Sequence, residues 1–166
     1  MTAALYHEIH QTKPFRSLEE EVYVALRLTS TVIDQPWVRY LRRTEGISPS
    51  QYNLLRILRG AGAEGRTMRE IAERMINRDP DVTRLADRTV KLDLTRRVRN
   101  EKDRRVVELF ITAKGRAMLS RLDEAVHQFL EQALAGLDQK QLRTLRDLLG
   151  LVRAGAAPFP PEASAK

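Results

Sequence analysis

The chain has 166 residues and a formal net charge of +7, so we expect an anionic partner. It contains no cysteine, which excludes disulfides, thiol redox sensing and thiolate metal sites. No apolar run approaches the roughly 18 residues that a membrane-spanning helix needs. Residues 1–15 also lack an apolar signal core, so we expect a cytoplasmic protein without a membrane segment.

The positive charge is concentrated in one part of the chain. Residues 66–105 contain thirteen Arg or Lys and eight Asp or Glu, so they carry five of the seven net charges. Such clustering favours a nucleic-acid partner over a generally basic surface. The alternative interpretation is an exposed charged face without a partner.

Helix starts are marked by side chains that can accept the free amides of a first turn. In chain order they are Ser17 with Glu20, Ser48 with Gln51, Thr67 with Glu70, Asp79 with Pro80, Thr112, and Asp138 with Gln141.

Apolar residues recur at steps of three and four in residues 18–41, 118–134 and 142–152, which is typical of amphipathic helices. Pro36 lies inside the first of these segments and predicts a kink or a break there. One chain of this length cannot cover all three apolar faces. We therefore expect a second copy to pack on them, giving a homodimer.

Two segments are predicted as strands, Thr95–Arg99 and the β-branched and aromatic run Val106–Ile111. The residues between them, NEKDRR, form a charged hairpin tip. Winged helix-turn-helix proteins use a basic helix followed by such a hairpin to bind duplex DNA, with the helix in the major groove.

The sequence therefore predicts a mainly α fold with a small β-wing. We expect a winged helix-turn-helix DNA-binding domain over residues 48–111, flanked by N- and C-terminal dimerisation helices over 17–47 and 112–154. Residues 1–16 are expected to be a flexible arm. Residues 155–166 are expected to be a disordered tail, because they cannot bury enough apolar surface to become ordered.

Five motifs occur in order, and as a set they resemble the multiple-antibiotic-resistance regulator (MarR) family. They are YNLLRILR from Tyr52, TMREIAERM from Thr67, PDVTRLADR from Pro80, DRR from Asp103 and LFITAKG from Leu109. The resemblance is close over residues 48–115, whereas the flanking helices match in length and position only.

The resemblance implies a dimeric transcriptional regulator, with residues 67–75 and 79–92 as the two helices of the motif and 96–111 as the wing. Such regulators usually bind a pseudo-palindromic operator in double-stranded DNA and release it when a small, often aromatic and anionic, ligand binds. Asp93 departs from the pattern, because family members usually have Gly at this left-handed turn. Asp tolerates that conformation at some cost.

Four residues of the second helix are candidates for DNA contact. A helical wheel places Val82, Leu85, Ala86 and Thr89 on one buried face, and it leaves the candidates on the opposite side or its flanks. They are Thr83, Arg84, Arg88 and Lys91. The alternative is that Arg84–Asp87 and Asp87–Lys91 are exposed ion pairs within the helix.

The wing supplies the remaining candidates, Lys102, Asp103, Arg104 and Arg105. Asp103 is an acid among arginines, and we expect it to hold an arginine in position by paired hydrogen bonds. By resemblance, Arg105 enters the minor groove while Lys102 and Arg104 contact phosphates. A solvated turn is the alternative.

The remaining candidates concern an effector site and a metal site. Trp37 and Tyr40 are candidates for an effector-binding site, although packing in the core or the dimer is the favoured explanation for both residues. His7 and His10 have a metal-like spacing, but with only His127 besides we expect no metal and no cofactor.

No catalytic constellation stands out, so we do not expect an enzyme. The alternatives to a ligand-responsive repressor are an architectural protein that binds DNA without sequence preference or effector, and a metal-dependent regulator.

Overall fold

The computed structural model describes residues 5–77, 81–100, 103 and 106–156, and in these the chain is mainly helical with one small sheet. The elements in chain order are α1 Leu5–Glu8, α2 Leu18–Thr44, α3 Pro49–Gly60, β1 Arg66–Thr67, α4 Met68–Arg74, α5 Val82–Lys91, β2 Thr95–Arg99, β3 Val107–Ile111, α6 Ala113–Ala133 and α7 Gln139–Gly155. The predicted mainly α fold with a β-wing is confirmed.

Most of the predicted helix starts are also found. Reciprocal capping boxes begin three helices, with the pairs Ser48 and Gln51, Thr67 and Glu70, and Asp138 and Gln141. Ser17 accepts the amide of Glu20, and Thr112 accepts the amide of Gly115 at the start of α6. These side chains satisfy amides that have no partner within the helix.

Helix α2 runs from Leu18 to Thr44 through Pro36. Of the kink or break predicted at Pro36, the break does not occur, because the helix is continuous through this residue. Proline removes only one backbone hydrogen bond, and a helix of 27 residues retains its bonds on both sides of the ring.

The sheet has three strands in the order β1-β3-β2, and both pairings are antiparallel. In the hairpin, Thr95 lies opposite Ile111 and Arg99 lies opposite Val107, so β2 and β3 are in full register. The sequence did not predict β1, a two-residue strand in which Thr67 lies opposite Glu108. This strand connects the wing to the start of α4.

The chain divides into two compact units, and the division falls after Val126, inside the range of α6. The core of the first unit is a cluster of aliphatic side chains from α2 to α6. Its fully buried members include Leu41, Leu54, Leu55, Leu58, Ile71, Leu109, Leu119 and Leu122.

Two bidentate ion pairs attach α6 to the rest of the first unit. Arg59 of α3 donates to both carboxylate oxygens of Asp123 at 2.8 and 2.9 Å. Arg121 donates to both oxygens of Glu45 at 3.2 and 2.8 Å, just after α2 ends. The Arg59 guanidinium lowers the pKa of the Asp123 carboxyl by hydrogen bonding.

The second unit contains the end of α6 and α7. Helix α7 has no buried residue, and its apolar residues Leu145, Leu148, Leu151 and Val152 are 37 to 70% exposed. An amphipathic helix with this much apolar surface in water needs a partner to cover it.

Candidate nucleic-acid interface

Helix α5 begins at Val82, with Asp81 as its N-cap. The Asp81 carboxylate accepts the amide of Arg84 at 2.9 Å. The predicted start at Asp79 and Pro80 is therefore wrong, and those two residues lie outside the part of the chain that the structure describes. Both aspartates are good caps by residue type, but it is Asp81 that has the cap position.

One side of α5 is buried as predicted. Val82 and Leu85 are 7% and 5% exposed, and Ala86 and Thr89 are fully buried. Residues at these spacings lie on one face of a helix, and here they contact α3, α4 and β2. The helix is thus held with its other face to solvent.

The exposed face of α5 carries all four predicted contact residues of this helix, Thr83, Arg84, Arg88 and Lys91. The Arg84 side chain is 79% exposed, and its Nε lies 3.0 Å from the Asp81 carboxylate. The N-cap residue Asp81, three residues before Arg84, therefore also orients the Arg84 guanidinium.

The alternative interpretation placed Arg84 and Lys91 in ion pairs with Asp87, but the structure pairs Arg84 and Asp87 with other residues. Arg84 pairs with Asp81, and Asp87 pairs with Arg97 of β2 at 2.8 Å. The second pair connects the exposed side of α5 to the wing strand. Residue spacing cannot reveal it, because it joins two different elements.

The wing tip is organised by Asn100. Its side-chain amide donates to Glu108 at 2.9 Å, and its side-chain oxygen accepts the amide of Asp103 at 3.2 Å. The backbone closes the same turn, since the amide of Val106 donates to the Asp103 carbonyl at 2.9 Å. Asp103 is exposed and occupies a defined position in this turn.

The other predicted tip residues, Lys102, Arg104 and Arg105, lie outside the described residues, so the expected Asp103–arginine contact stays a prediction. Sequence reasoning missed three further exposed arginines on the wing strand β2, which are Arg96, Arg97 and Arg99. The guanidinium of Arg96 lies 4.8 Å from the ring centroid of Phe110 on β3. Three arginines within four residues of one predicted strand could have marked β2 as part of the basic surface.

The end of α5 is fixed against the start of α6. The Lys114 ammonium donates to the Leu92 carbonyl at 2.8 Å, and the Thr112 hydroxyl donates to the Asp93 carbonyl at 2.7 Å. Asp93 has a φ of 58°, so the left-handed turn expected at this position is confirmed. A non-glycine residue is strained in this conformation, and the two hydrogen bonds around the turn offset that strain.

Trp37 and Tyr40 belong to an aromatic cluster on α2 and α3. Their rings stack with centroids 5.6 Å apart, and Trp37 meets the Tyr52 ring edge-on at 5.5 Å. The Arg56 guanidinium lies 5.8 Å from the Tyr52 centroid. Burial raises the pKa of the Tyr52 hydroxyl, while Arg56 acts against this shift. Trp37 packs against the core, so the packing interpretation accounts for part of its surface.

Among the described residues, no group of histidine and acidic side chains is arranged to hold a metal ion. In the same residues, no helix is both long and apolar enough to cross a bilayer.

A capped short helix, a basic second helix and a two-stranded wing together define a winged helix-turn-helix DNA-binding protein. A model described as the MarR family matches residues 45–106. A MarR transcription factor from Planctomyces limnophilus, known from its crystal structure, is 36% identical to this chain. The match covers 83% of this chain and 99% of that one, with a TM-score of 0.64. The chain belongs to the MarR family of transcriptional regulators.

Other similar proteins agree with this assignment. The HTH-type transcriptional repressor MdtR of Bacillus subtilis is 37% identical over 81 residues, which are 49% of this chain and 51% of MdtR. The chain thus spans about half the length of this curated relative.

Two further solved structures share the fold. Sco3205 from Streptomyces coelicolor, solved in complex with DNA, is 23% identical over 92% of this chain and 97% of that one, with a TM-score of 0.76. The organohalide-sensing regulator RdhR-CbdbA1625, solved with 2,4-dichlorophenol, is 19% identical over 90% and 89%, with a TM-score of 0.78.

Proposed function

We propose that the chain is a homodimeric repressor that binds a pseudo-palindromic operator in double-stranded DNA and releases it when a small aromatic or anionic ligand binds. The observation that carries this proposal is the two-sided character of α5. Its buried side fixes it to α3, α4 and β2, while Thr83, Arg84, Arg88 and Lys91 are all exposed on the other side.

Arg84 is the residue best suited to read a base. A guanidinium can donate two hydrogen bonds to the major-groove edge of guanine. Asp81 holds this one near the start of the helix, where recognition helices usually contact bases. Thr83, Arg88 and Lys91 take phosphates, which fix the position of the protein without reading sequence.

The wing makes the second contact with DNA. In this proposal Arg105 enters the minor groove, Lys102 and Arg104 bind phosphates, and Asp103 holds the arginine in place. The exposed arginines of β2 add positive potential along the wing.

Dimerisation follows from the apolar side chains that the described residues leave in solvent. On α2, Leu18, Tyr23 and Val32 are 59 to 70% exposed, and α7 exposes a comparable set. A second copy would cover them through a two-fold interface, and two-fold symmetry suits two DNA half-sites about one helical turn apart.

The effector would bind at the aromatic cluster of Trp37, Tyr40 and Tyr52. Tyr40 is 40% exposed, so a planar ligand can reach the stack, and Arg56 supplies a cation beside it for an anionic group. RdhR-CbdbA1625, a protein of the same fold, was solved with the phenol 2,4-dichlorophenol.

The test begins with selection of a preferred duplex from a random-sequence library by the wild-type protein. Affinity for this duplex and for a scrambled copy is then measured by fluorescence anisotropy at several salt concentrations. Arg84→Ala should lose about 1–3 kcal/mol on the selected duplex and much less on the scrambled one. Arg143→Ala, which removes an exposed arginine of α7, is the matched control and should bind like wild type.

Three results would contradict parts of this proposal. Equal wild-type affinity for both duplexes would establish the architectural alternative. A monomer at micromolar concentration in sedimentation would refute the dimer. Unchanged affinity in the presence of chlorophenols and aromatic carboxylates, at any soluble concentration, would count against the effector.

A further inference from the structure

Two buried hydroxyl groups join the recognition helix α5 to the wing strand β2. The Oγ1 atoms of Thr89 and Thr95 lie 2.8 Å apart, and the two residues are 0% and 2% exposed. Thr89 also donates to the Ala86 carbonyl at 2.8 Å. The other buried residues of α5, Val82, Leu85 and Ala86, have apolar side chains. Thr89 is therefore the buried residue of α5 whose side chain makes a polar contact.

The geometry fixes the direction of these hydrogen bonds. A hydroxyl group has one proton, and Thr89 uses its proton on the Ala86 carbonyl. Thr95 must therefore be the donor in the contact with Thr89. The result is a directed chain of hydrogen bonds from the wing strand, through the helix side chain, to the helix backbone.

Such a contact constrains the helix in a way that apolar packing does not. Val82 and Leu85 can keep most of their contact energy while the helix turns slightly, whereas a hydrogen bond weakens steeply when its distance or angle changes. A turn of about 20° would move a guanidinium about 7 Å from the helix axis by about 2 Å, which is enough to lose a base contact.

We propose that Thr89 and Thr95 are positioning residues for sequence recognition: their hydroxyl pair sets the rotation of α5 relative to the wing. The pair also sets the distance between helix contacts and wing contacts. The exposed Asp87–Arg97 ion pair joins the same two elements from the solvent side, where it is weaker because water and salt screen it. This inference rests on the proposed DNA-reading role of α5.

Two substitutions of Thr95 separate positioning from stability. Thr95→Val keeps the shape and the β-branched side chain but removes the donor, and Thr89 retains its bond to Ala86. Thr95→Ser keeps the donor but removes a buried methyl group and lowers strand preference. The serine variant should therefore unfold at a lower urea concentration than the valine variant.

Sequence preference in DNA binding should follow the opposite order, with Thr95→Val more impaired than Thr95→Ser. Thr95→Val should reduce the ratio of affinities for the selected and scrambled duplexes by about tenfold, because base contacts are lost. Its affinity for the scrambled duplex should stay within about twofold of wild type, because no charge changes. Thr95→Ser should keep the wild-type ratio. Thr89→Val, which removes both hydrogen bonds, should lower the ratio as well.

Ile47→Val provides a control for general destabilisation, since Ile47 is buried in the core outside α5 and the wing. It should lower the unfolding midpoint and leave the ratio unchanged. If the ratio follows the unfolding midpoint across all variants, or stays at the wild-type value in both valine variants of Thr89 and Thr95, the inference is overturned alone. If the wild type itself prefers no duplex, the proposed function is overturned and the inference with it.

Discussion

Gly115→Ala tests the junction between the recognition helix and α6. A Cβ atom at Gly115 would lie 2.8 Å from Cγ1 of Ile111 and closer still to the carbonyl oxygen of Leu94. That oxygen accepts the amide of Thr112 at 3.0 Å, in the segment that leads from β3 into α6. Because the nearest obstacle is backbone, it cannot move aside by changing a rotamer.

The expected cost can be estimated from three effects. Overpacking in a closed site costs about 1–3 kcal/mol. Weakening the Thr112–Leu94 hydrogen bond adds about 1 kcal/mol. Alanine recovers about 1 kcal/mol through its higher helix propensity. The net result is a loss of about 1–3 kcal/mol in the free energy of unfolding.

Gly60→Ala is the matched control, because Gly60 also lies in a helix and a Cβ atom there meets nothing within 4 Å. It should stabilise the protein by about 0.5–1 kcal/mol through helix propensity alone. Urea unfolding followed by circular dichroism measures both variants. If Gly115→Ala is as stable as Gly60→Ala, the close approach of α6 to Leu94 does not exist in solution.

Three further variants test electrostatics and backbone strain elsewhere in the first unit. Asp93→Gly should raise the free energy of unfolding by about 0.5–1 kcal/mol, because glycine adopts the positive φ of this turn without strain; a decrease in the urea midpoint would contradict this. Asp87→Ala should change stability by less than about 1 kcal/mol, since its partner Arg97 is partly exposed, yet strengthen binding to scrambled duplex by removing a negative charge. Weaker binding at low salt in anisotropy measurements would refute it. Arg59 lowers the pKa of Asp123 in the folded state, so this pair stabilises the protein above the unfolded pKa and the stabilisation is lost as pH falls below about 4. Asp123→Asn should therefore reduce the dependence of the free energy of unfolding on pH near pH 4, measured by urea titrations at several pH values. An unchanged pH dependence would exclude the Arg59–Asp123 pair as the cause of the stability loss.

The parts of the fold that follow from local chemistry were predictable from the sequence. The buried face of α5 was predicted residue by residue, because a helix with Val82, Leu85, Ala86 and Thr89 at these spacings has only one apolar side. Capping boxes and the β-branched run of β3 are equally local. The left-handed turn at Asp93 came from the family resemblance and not from the residue itself.

Features that depend on competition or on distant partners were not predictable. Asp79 and Asp81 are both good caps, and a proline between them favoured the wrong one. Strand β1 has two residues and forms only because β3 offers a free edge. The Asp87–Arg97 ion pair requires knowledge of where the wing strand lies against the helix.

The acidic residues of this basic region are best understood by where their cations lie. Aspartates occur every six residues along and just beyond α5, and each approaches one cation. The pairs are Asp81–Arg84 at 3.0 Å, Asp87–Arg97 at 2.8 Å and Asp93–Lys114 at 4.0 Å. They connect α5 to its own first turn, to the wing strand and to α6.

These acids weaken attraction to phosphate, since each negative charge near the interface opposes binding to every duplex equally. Their benefit lies in geometry, because each holds a cation in one place, and Asp87 and Asp93 also keep β2 and α6 in register with α5. Removing all three should therefore strengthen binding to scrambled DNA while reducing preference for the selected duplex. Measured together by anisotropy, these two effects must have opposite signs; a triple variant with increased preference would refute the positioning role of the aspartates.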